Sequence, residues 1–308
     1  MTVEAFMDAC NRYYYATRNP LGASGDFTTA PEISQMFGEL VGACLADCWA
    51  RAGRQADAVY VELGPGRGTL ASDAIRALRS AGCDPKVHFV ETSPILRKAQ
   101  AAAVPDAQWH DDVSTLPDAP LLVVANEFLD ALPVRQSVDG IERKVVIAAG
   151  GLAFDRDGEI VETAPARDEL VSGLAKRLVD QGGAAILIDY GHAQSAPGDT
   201  LQAIHAHRFA PVLDKPGEQD LTAHVDFEAV AKSATSAGAG VTGVVTQGRW
   251  LQQLGIAARA EALSSSHPDR SDELAAAVRR LCGPKEMGEL FKVIALHSPA
   301  WPVPAGFQ

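Results

Sequence analysis

Apolar positions along the 308-residue chain fall into two alternating kinds of run. Short, nearly continuous apolar runs at Val59–Leu63, Val87–Glu91, Gln108–His110, Leu121–Ala125, Ala184–Ile188, Val241–Val245 and Phe291–Leu296 read as strands, several of them buried on both faces. Between them, apolar residues recur at helical spacing over Thr69–Ala81, Pro94–Ala103, Asp168–Gln181, Phe227–Ala237, Gln247–Gly255 and Asp272–Cys282. This alternation predicts an α/β fold with a mostly parallel sheet covered by helices on both sides. Two stretches break it. Arg135–Asp157 reads as strands around the turn-rich "AAGGLAFDRDGE", a hairpin pair, and Ala193–His224 reads as a long loop. The expected organisation is one domain over 1–308, with an N-terminal segment at 1–55 and insertions at about 133–165 and 193–224.

The first predicted strand runs into "ELGPGRG", which places Gly64, Gly66 and Gly68 where a strand becomes a helix. Glycine permits positive φ there and lets a ligand approach the backbone, while the free N–H groups of the next helix point to the same place. Thr69 is the expected cap of that helix. No lysine follows, so the triphosphate loop is rejected, and a dinucleotide fingerprint finds Thr69 where it needs a small residue. The pattern acid-x-Gly-x-Gly-x-Gly is complete from Glu62 to Gly68. A carboxylate there repels pyrophosphate but suits the cationic end of S-adenosylmethionine. Glu91, twenty-seven residues after Gly64 and at the next strand's end, is placed to accept hydrogen bonds from a ribose diol. Ser93 and Pro94 then open a helix as N-cap and first-turn residue. At the third strand's end Asp111 or Asp112 is either an adenine contact, expected first of Asp112, or an exposed turn residue.

The net charge of −12 argues against a nucleic acid partner and leaves a basic peptide open as substrate. Five scattered cysteines contain no C-x-x-C; Cys44 and Cys48, four apart on a helix, read as small buried apolar residues of a reducing compartment. No run of about eighteen apolar residues predicts a membrane span, and the N-terminus has no signal or transit pattern, so a cytoplasmic location is expected. His205, His207 and His224 lack helix-based metal spacing and read as loop residues, so no metal is expected. Tyr13–Tyr15 read as packing an N-terminal helix. "GASGD" lacks the last glycine of a nucleophile elbow, and no H-E-x-x-H is present.

Taken together, "SGDFTTAPEISQMFGEL", "ELGPGRGTLASD", "VETSPILRKAQ", "NEFLDALPVRQ" and "DYGH…GDTLQAIHAHR…PGEQDLTAHVDF" resemble the MidA family, over about Met7 to Ala295. The resemblance implies a class I methyltransferase fold, Rossmann-like with seven strands, and S-adenosylmethionine as donor. It implies methylation of an arginine side chain on a protein partner, such as a respiratory complex I subunit, the family's best-understood members being linked to symmetric dimethylation of such an arginine; how many methyl groups are added here, and with what symmetry, stays open. The absence of a targeting extension points to a bacterial-type member. The fourth strand, Leu121–Ala125, is where such enzymes hold the acceptor, and it runs into Asn126-Glu127-Phe128-Leu129-Asp130. A guanidinium is protonated and a poor nucleophile, so carboxylates must orient it. Glu127 and Asp130 form such a clamp if the segment turns helically, with Asn126 assigned to the donor or, alternatively, to a helix cap. His192 of "DYGH" and Asp26 of "GDFT" are the candidate proton acceptors. Other acceptors, or a non-catalytic assembly role that keeps the donor pocket, stay open, and so does a homodimer.

Overall fold

A computed structural model describes residues 1–18, 22 and 28–307. Seven strands form the central sheet: β1 Val59–Leu63, β2 Lys86–Val90, β3 Gln108–His110, β4 Leu121–Asn126, β5 Gly183–His192, β6 Gly240–Val241 and β7 Phe291–His297. Their order is β3-β2-β1-β4-β5-β7-β6, with two short strands off this path, Val225–Asp226 on β5 and Val245–Thr246 on β7. Pairings from β3 to β5 are parallel, and β7 runs antiparallel to both β5 and β6. This mostly parallel seven-stranded sheet is the class I arrangement that the resemblance implies. The predicted strand Val241–Val245 is instead two dipeptide strands on either side of a break.

Period-2 alternation divides β1 between two cores. Tyr60 joins Phe37, Leu70, Phe89 and Trp250 on one face of the sheet, while Val59, Val61 and Leu63 join Val123, Leu174 and Phe227 on the other. Every residue of β1 and β4 is buried, which is why these strands read as unbroken apolar runs. The helices most relevant to the site are α1 Val3–Thr17, α2 Ala30–Ile33, α3 Gln35–Arg51, α4 Thr69–Ser80 and α5 Pro94–Ala103. Ser93 caps α5 as predicted, its side chain accepting from the Leu96 N–H at 3.3 Å. Thr69 does not cap α4: Gly68 occupies the cap position with φ +83°, and Thr69 is the first helical residue.

Residues 133–165 form short antiparallel pairs, Arg135–Val138 with Ile160–Thr163 and Val145–Ala148 with Gly151–Phe154. The stretch predicted as a loop, Ala193–His224, contains a three-stranded antiparallel sheet of Gln202–His205, Arg208–Ala210 and Asp220–Thr222. Both pack on α1 through a third core that includes Val3, Phe6, Met7, Val145, Ala203 and Leu221. A helix at Ile256–Ser266 was likewise absent from the sequence pattern; Ile256 is its one buried residue. No helix among the described residues is long and apolar enough to cross a membrane.

Candidate functional site

The chain reverses its direction of strand addition between β1 and β4, since β2 and β3 lie on one side of β1 while β4 and β5 lie on the other. At such a switch point the loops leaving adjacent strand ends diverge and open a crevice. A cleft of about 420 Å³ lies there, lined by Glu62, Gly64–Thr69 except Gly68, Glu91–Ser93, Asn126–Phe128 and, from α1, Asp8, Asn11, Arg12 and Tyr15.

Glycine is required at the mouth of β1. Gly64, Gly66 and Gly68 have φ of +60°, +56° and +83°. A Cβ on Gly64 would stand 2.6 Å from the Phe128 ring, so the loop and the end of β4 touch through a contact that only glycine allows. Arg67 in the loop pairs with Glu32 of α2, which also accepts from the Thr69 hydroxyl at 2.7 Å. The sequence motif "TTAPEI" thus braces the glycine loop from outside.

Glu62 shares a strand face with Tyr60, whose hydroxyl donates to it at 2.8 Å. Burial pushes the Glu62 carboxyl up to about 8, against the opposing effect of that hydrogen bond. Glu91 is raised in the same way by burial; its oxygens accept from the Ser93 N–H at 2.7 Å and from Gln100 Nε2 at 3.1 Å. Asn126 donates to Glu127 Oε1 at 3.2 Å and leaves its own Oδ1 buried without a partner among the described residues.

Glu127 holds a left-handed φ of +51°, uncommon for a residue with a side chain. The surroundings fix it: its N–H donates to Ile188 O at 2.9 Å, and its Oε1 also accepts from the Ala30 N–H at 3.2 Å. The next three amides, of Phe128, Leu129 and Asp130, all donate to Asp189 Oδ2 at 3.2, 2.9 and 3.2 Å. Asp189 therefore anchors the turn after β4 from the neighbouring strand. Burial first, then the charge of nearby Asp130, pushes the Glu127 carboxyl up to about 8.

The predicted residues separate into two groups. Glu62, Gly64, Gly66, Glu91, Asn126 and Glu127 line one cleft, and Gly68 shapes it as the α4 cap. Asp130 does not line it: the segment turns away from a helical path at Glu127, and the Asp130 carboxylate is buried, accepting from the Tyr190 hydroxyl. His192 does not line it either. The end of β5 pairs with Val225–Asp226, which carries His192 into a separate cavity of about 90 Å³ beside Arg167, His224 and Asp226. Asp112 folds back to cap the turn Val113–Thr115, accepting from the Ser114 N–H at 2.7 Å, and Asp111 pairs with Arg97. Neither of these reaches the cleft. Asp26 lies outside the described residues.

Sequence reasoning missed Asp189 as an anchor, although it singled out the motif that contains it. It also missed Gln100, a fully buried amide between the glycine loop and Glu91. The available signal was a long polar residue one turn after Leu96 on the buried face of α5.

The cleft's charges are unbalanced. Arg12 is spent on Asp8 at 2.7 Å and Arg67 on Glu32, while Glu62, Glu91 and Glu127 have no ion-pair partner among the described residues. Two buried carboxyls and a half-buried one, none of them in an ion pair among the described residues, together with Asn126 Oδ1 and a glycine loop, fit a ligand with a positive end, and S-adenosylmethionine has one.

Known proteins agree. The family model described as "Putative S-adenosyl-L-methionine-dependent methyltransferase" matches residues 40–151 and 141–245. The chain is 35% identical to the protein arginine methyltransferase NDUFAF7 homolog, mitochondrial, of Drosophila melanogaster, over 96% of this chain and 81% of that protein. It is 32% identical to the human protein arginine methyltransferase NDUFAF7, mitochondrial, over 92% and 76%. A Burkholderia thailandensis structure bound to S-adenosyl-homocysteine superposes with a TM-score of 0.85 at 28% identity, over 99% of this chain and 89% of that one. The chain belongs to the MidA family and is an S-adenosylmethionine-dependent methyltransferase of class I fold.

Proposed function

We propose that the methyl acceptor is the guanidinium of an arginine on a protein partner, and that Glu127 orients it. The observation that carries this is the state of the Glu127 carboxylate. Both of its hydrogen bonds fall on Oε1, which leaves Oε2 without a partner among the described residues, at the end of β4 in the cleft. A guanidinium offers five N–H donors and a permanent charge to such an oxygen. The relatives named above as protein arginine methyltransferases support the same reading, and a respiratory complex I subunit is the first partner to test.

Bound S-adenosylmethionine supplies an electrophilic methyl on a sulfonium. Glu62 and Asn126 Oδ1 would hold its ammonium, Glu91 its ribose, and the glycine loop its methionine tail. Glu127 then has two tasks. It fixes one guanidinium nitrogen toward the methyl, where alignment supplies most of the rate. As the N–C bond forms and the S–C bond breaks, Oε2 takes the proton that leaves that nitrogen. The guanidinium charge beside it favours the ionised carboxylate, which burial otherwise disfavours, and so leaves Oε2 able to accept that proton. His192, in its separate cavity, has no part in this path.

The test uses donor carrying a deuterated methyl, incubated with the enzyme and protein extract from cells lacking it, followed by hydrolysis and mass spectrometry. Label in methylated arginine is expected. Label confined to other side chains or to small molecules overturns the proposal. In the same assay Glu127→Gln is expected to lower the rate at least about tenfold while S-adenosylhomocysteine affinity stays within about threefold.

A further inference from the structure

We infer that Gln100 is a positioning residue that aims Glu91 at the donor ribose and takes its own orientation from Trp109. The inference rests on Glu91 being the ribose acceptor.

Gln100 is fully buried, and its amide joins three groups from different elements. Nε2 donates to the Gly66 carbonyl at 2.8 Å and to Glu91 Oε2 at 3.1 Å, and Oε1 accepts from Trp109 Nε1 at 2.8 Å. An indole N–H can only donate, so it fixes which end of the amide is oxygen. A reversed amide would set an NH₂ against an N–H and an oxygen against two acceptors. One side chain thus sets the spacing between the glycine loop, which faces the donor's amino acid tail, and the carboxylate that faces its sugar.

Close packing holds α5 in the place this needs. A Cβ on Gly68 would sit 3.2 Å from Ala103 Cβ and 3.6 Å from Gln100 Cα, so helix and loop are in near contact. The Ser93 N–H holds the other oxygen of Glu91 at 2.7 Å. Ser93 and Gln100 thus hold one Glu91 oxygen each, and together they fix the plane that the carboxylate presents to a vicinal diol. Without Gln100, Glu91 would keep its burial and lose the contact that sets its plane.

The test compares S-adenosylhomocysteine with its 2′-deoxyribose analogue by calorimetry on the full chain. The native protein is expected to favour the ribose ligand about tenfold, one hydrogen bond to a charged group. In Gln100→Leu this preference is expected to fall to about twofold, because a misaimed Glu91 no longer reads the hydroxyl. Trp109→Phe keeps the aromatic packing and removes only the N–H; its preference should fall partway, and it decides the matter if Gln100→Leu does not fold. A merely structural Gln100 would weaken both ligands equally and leave the ratio near ten, which overturns the inference. A native protein that does not discriminate removes the ribose assignment of Glu91 itself, and the inference with it.

Discussion

Gly64→Val is expected to raise the Kd for S-adenosylhomocysteine at least about 100-fold, a loss of about 2.7 kcal/mol. Two independent effects combine. At φ +60° a β-branched residue is forced into a region it strongly disfavours. Its Cβ also falls 2.6 Å from the Phe128 ring, which must then shift into the cleft or push the loop out of it. Both moves displace groups that line the site. Gly53→Ala is the control, since Gly53 has φ +93° with nothing within 4 Å of the added carbon and lies away from the cleft. It carries the backbone strain without the collision and should bind normally. Calorimetry decides the matter: a Gly64→Val protein that melts cooperatively and binds within about threefold of native would remove the glycine hinge from the donor site.

The glycine-loop side of the cleft was legible in sequence because its parts are local, although Asp112, read as an adenine contact, stays outside it. An acid, three glycines and a second acid sit at the ends of β1 and β2, and strands buried on both faces announce themselves as apolar runs. The side of the cleft at the ends of β4 and β5 depends on contacts that no local pattern encodes. Asp189 and His192 both lie in the last four residues of β5, and a strand-end motif alone does not say which of them turns toward the cleft. Pairing of Gly191 and His192 with Val225 and Asp226 draws the imidazole to another cavity, while Asp189 stays inside and gathers three amides of the neighbouring turn. Asp130 was misread because a helical turn was assumed where Glu127 takes a left-handed φ.

The same reasoning explains the misread loop at 193–224. Its strands are three or four residues long, and the edge strand Arg208–Ala210 keeps Phe209 exposed, so no clear alternation survives. What orders them is burial of Ala203 and Leu221 against Val3, Phe6 and Met7, some two hundred residues earlier. Asn11 adds a direct tie: its amide donates to Leu221 O at 2.7 Å and to Ala131 O at 2.9 Å, binding α1, the insertion and the turn after β4 into one wall. Tyr15 extends that wall, its hydroxyl donating to Asp220 at 2.8 Å.

Donor binding is expected to strengthen about 50-fold between pH 6 and pH 8, then level off, with Glu62 as the group responsible. Burial holds its carboxyl at about 8 in the free protein, so at pH 7 it is mostly protonated. A ligand ammonium facing it favours the ionised form, and binding must then expel the proton. Titration calorimetry at pH 7 in buffers of different ionisation heat should record release of about 0.9 proton per ligand from a group of this pKa. The sign for stability runs the opposite way. The folded, ligand-free protein holds a proton that the unfolded chain gives up in the ordinary carboxylate range. Stability from this group is therefore greatest below that range and declines as pH rises toward 8. The ligand-free melting temperature should fall over that window while the shift produced by S-adenosylhomocysteine grows. Glu62→Gln separates this carboxyl from Glu91 and Glu127, which burial also raises. A glutamine cannot ionise, so most of the pH dependence should disappear, and a Glu62→Gln protein that kept the native slope would assign the proton to Glu91 or Glu127 and take the cation away from Glu62.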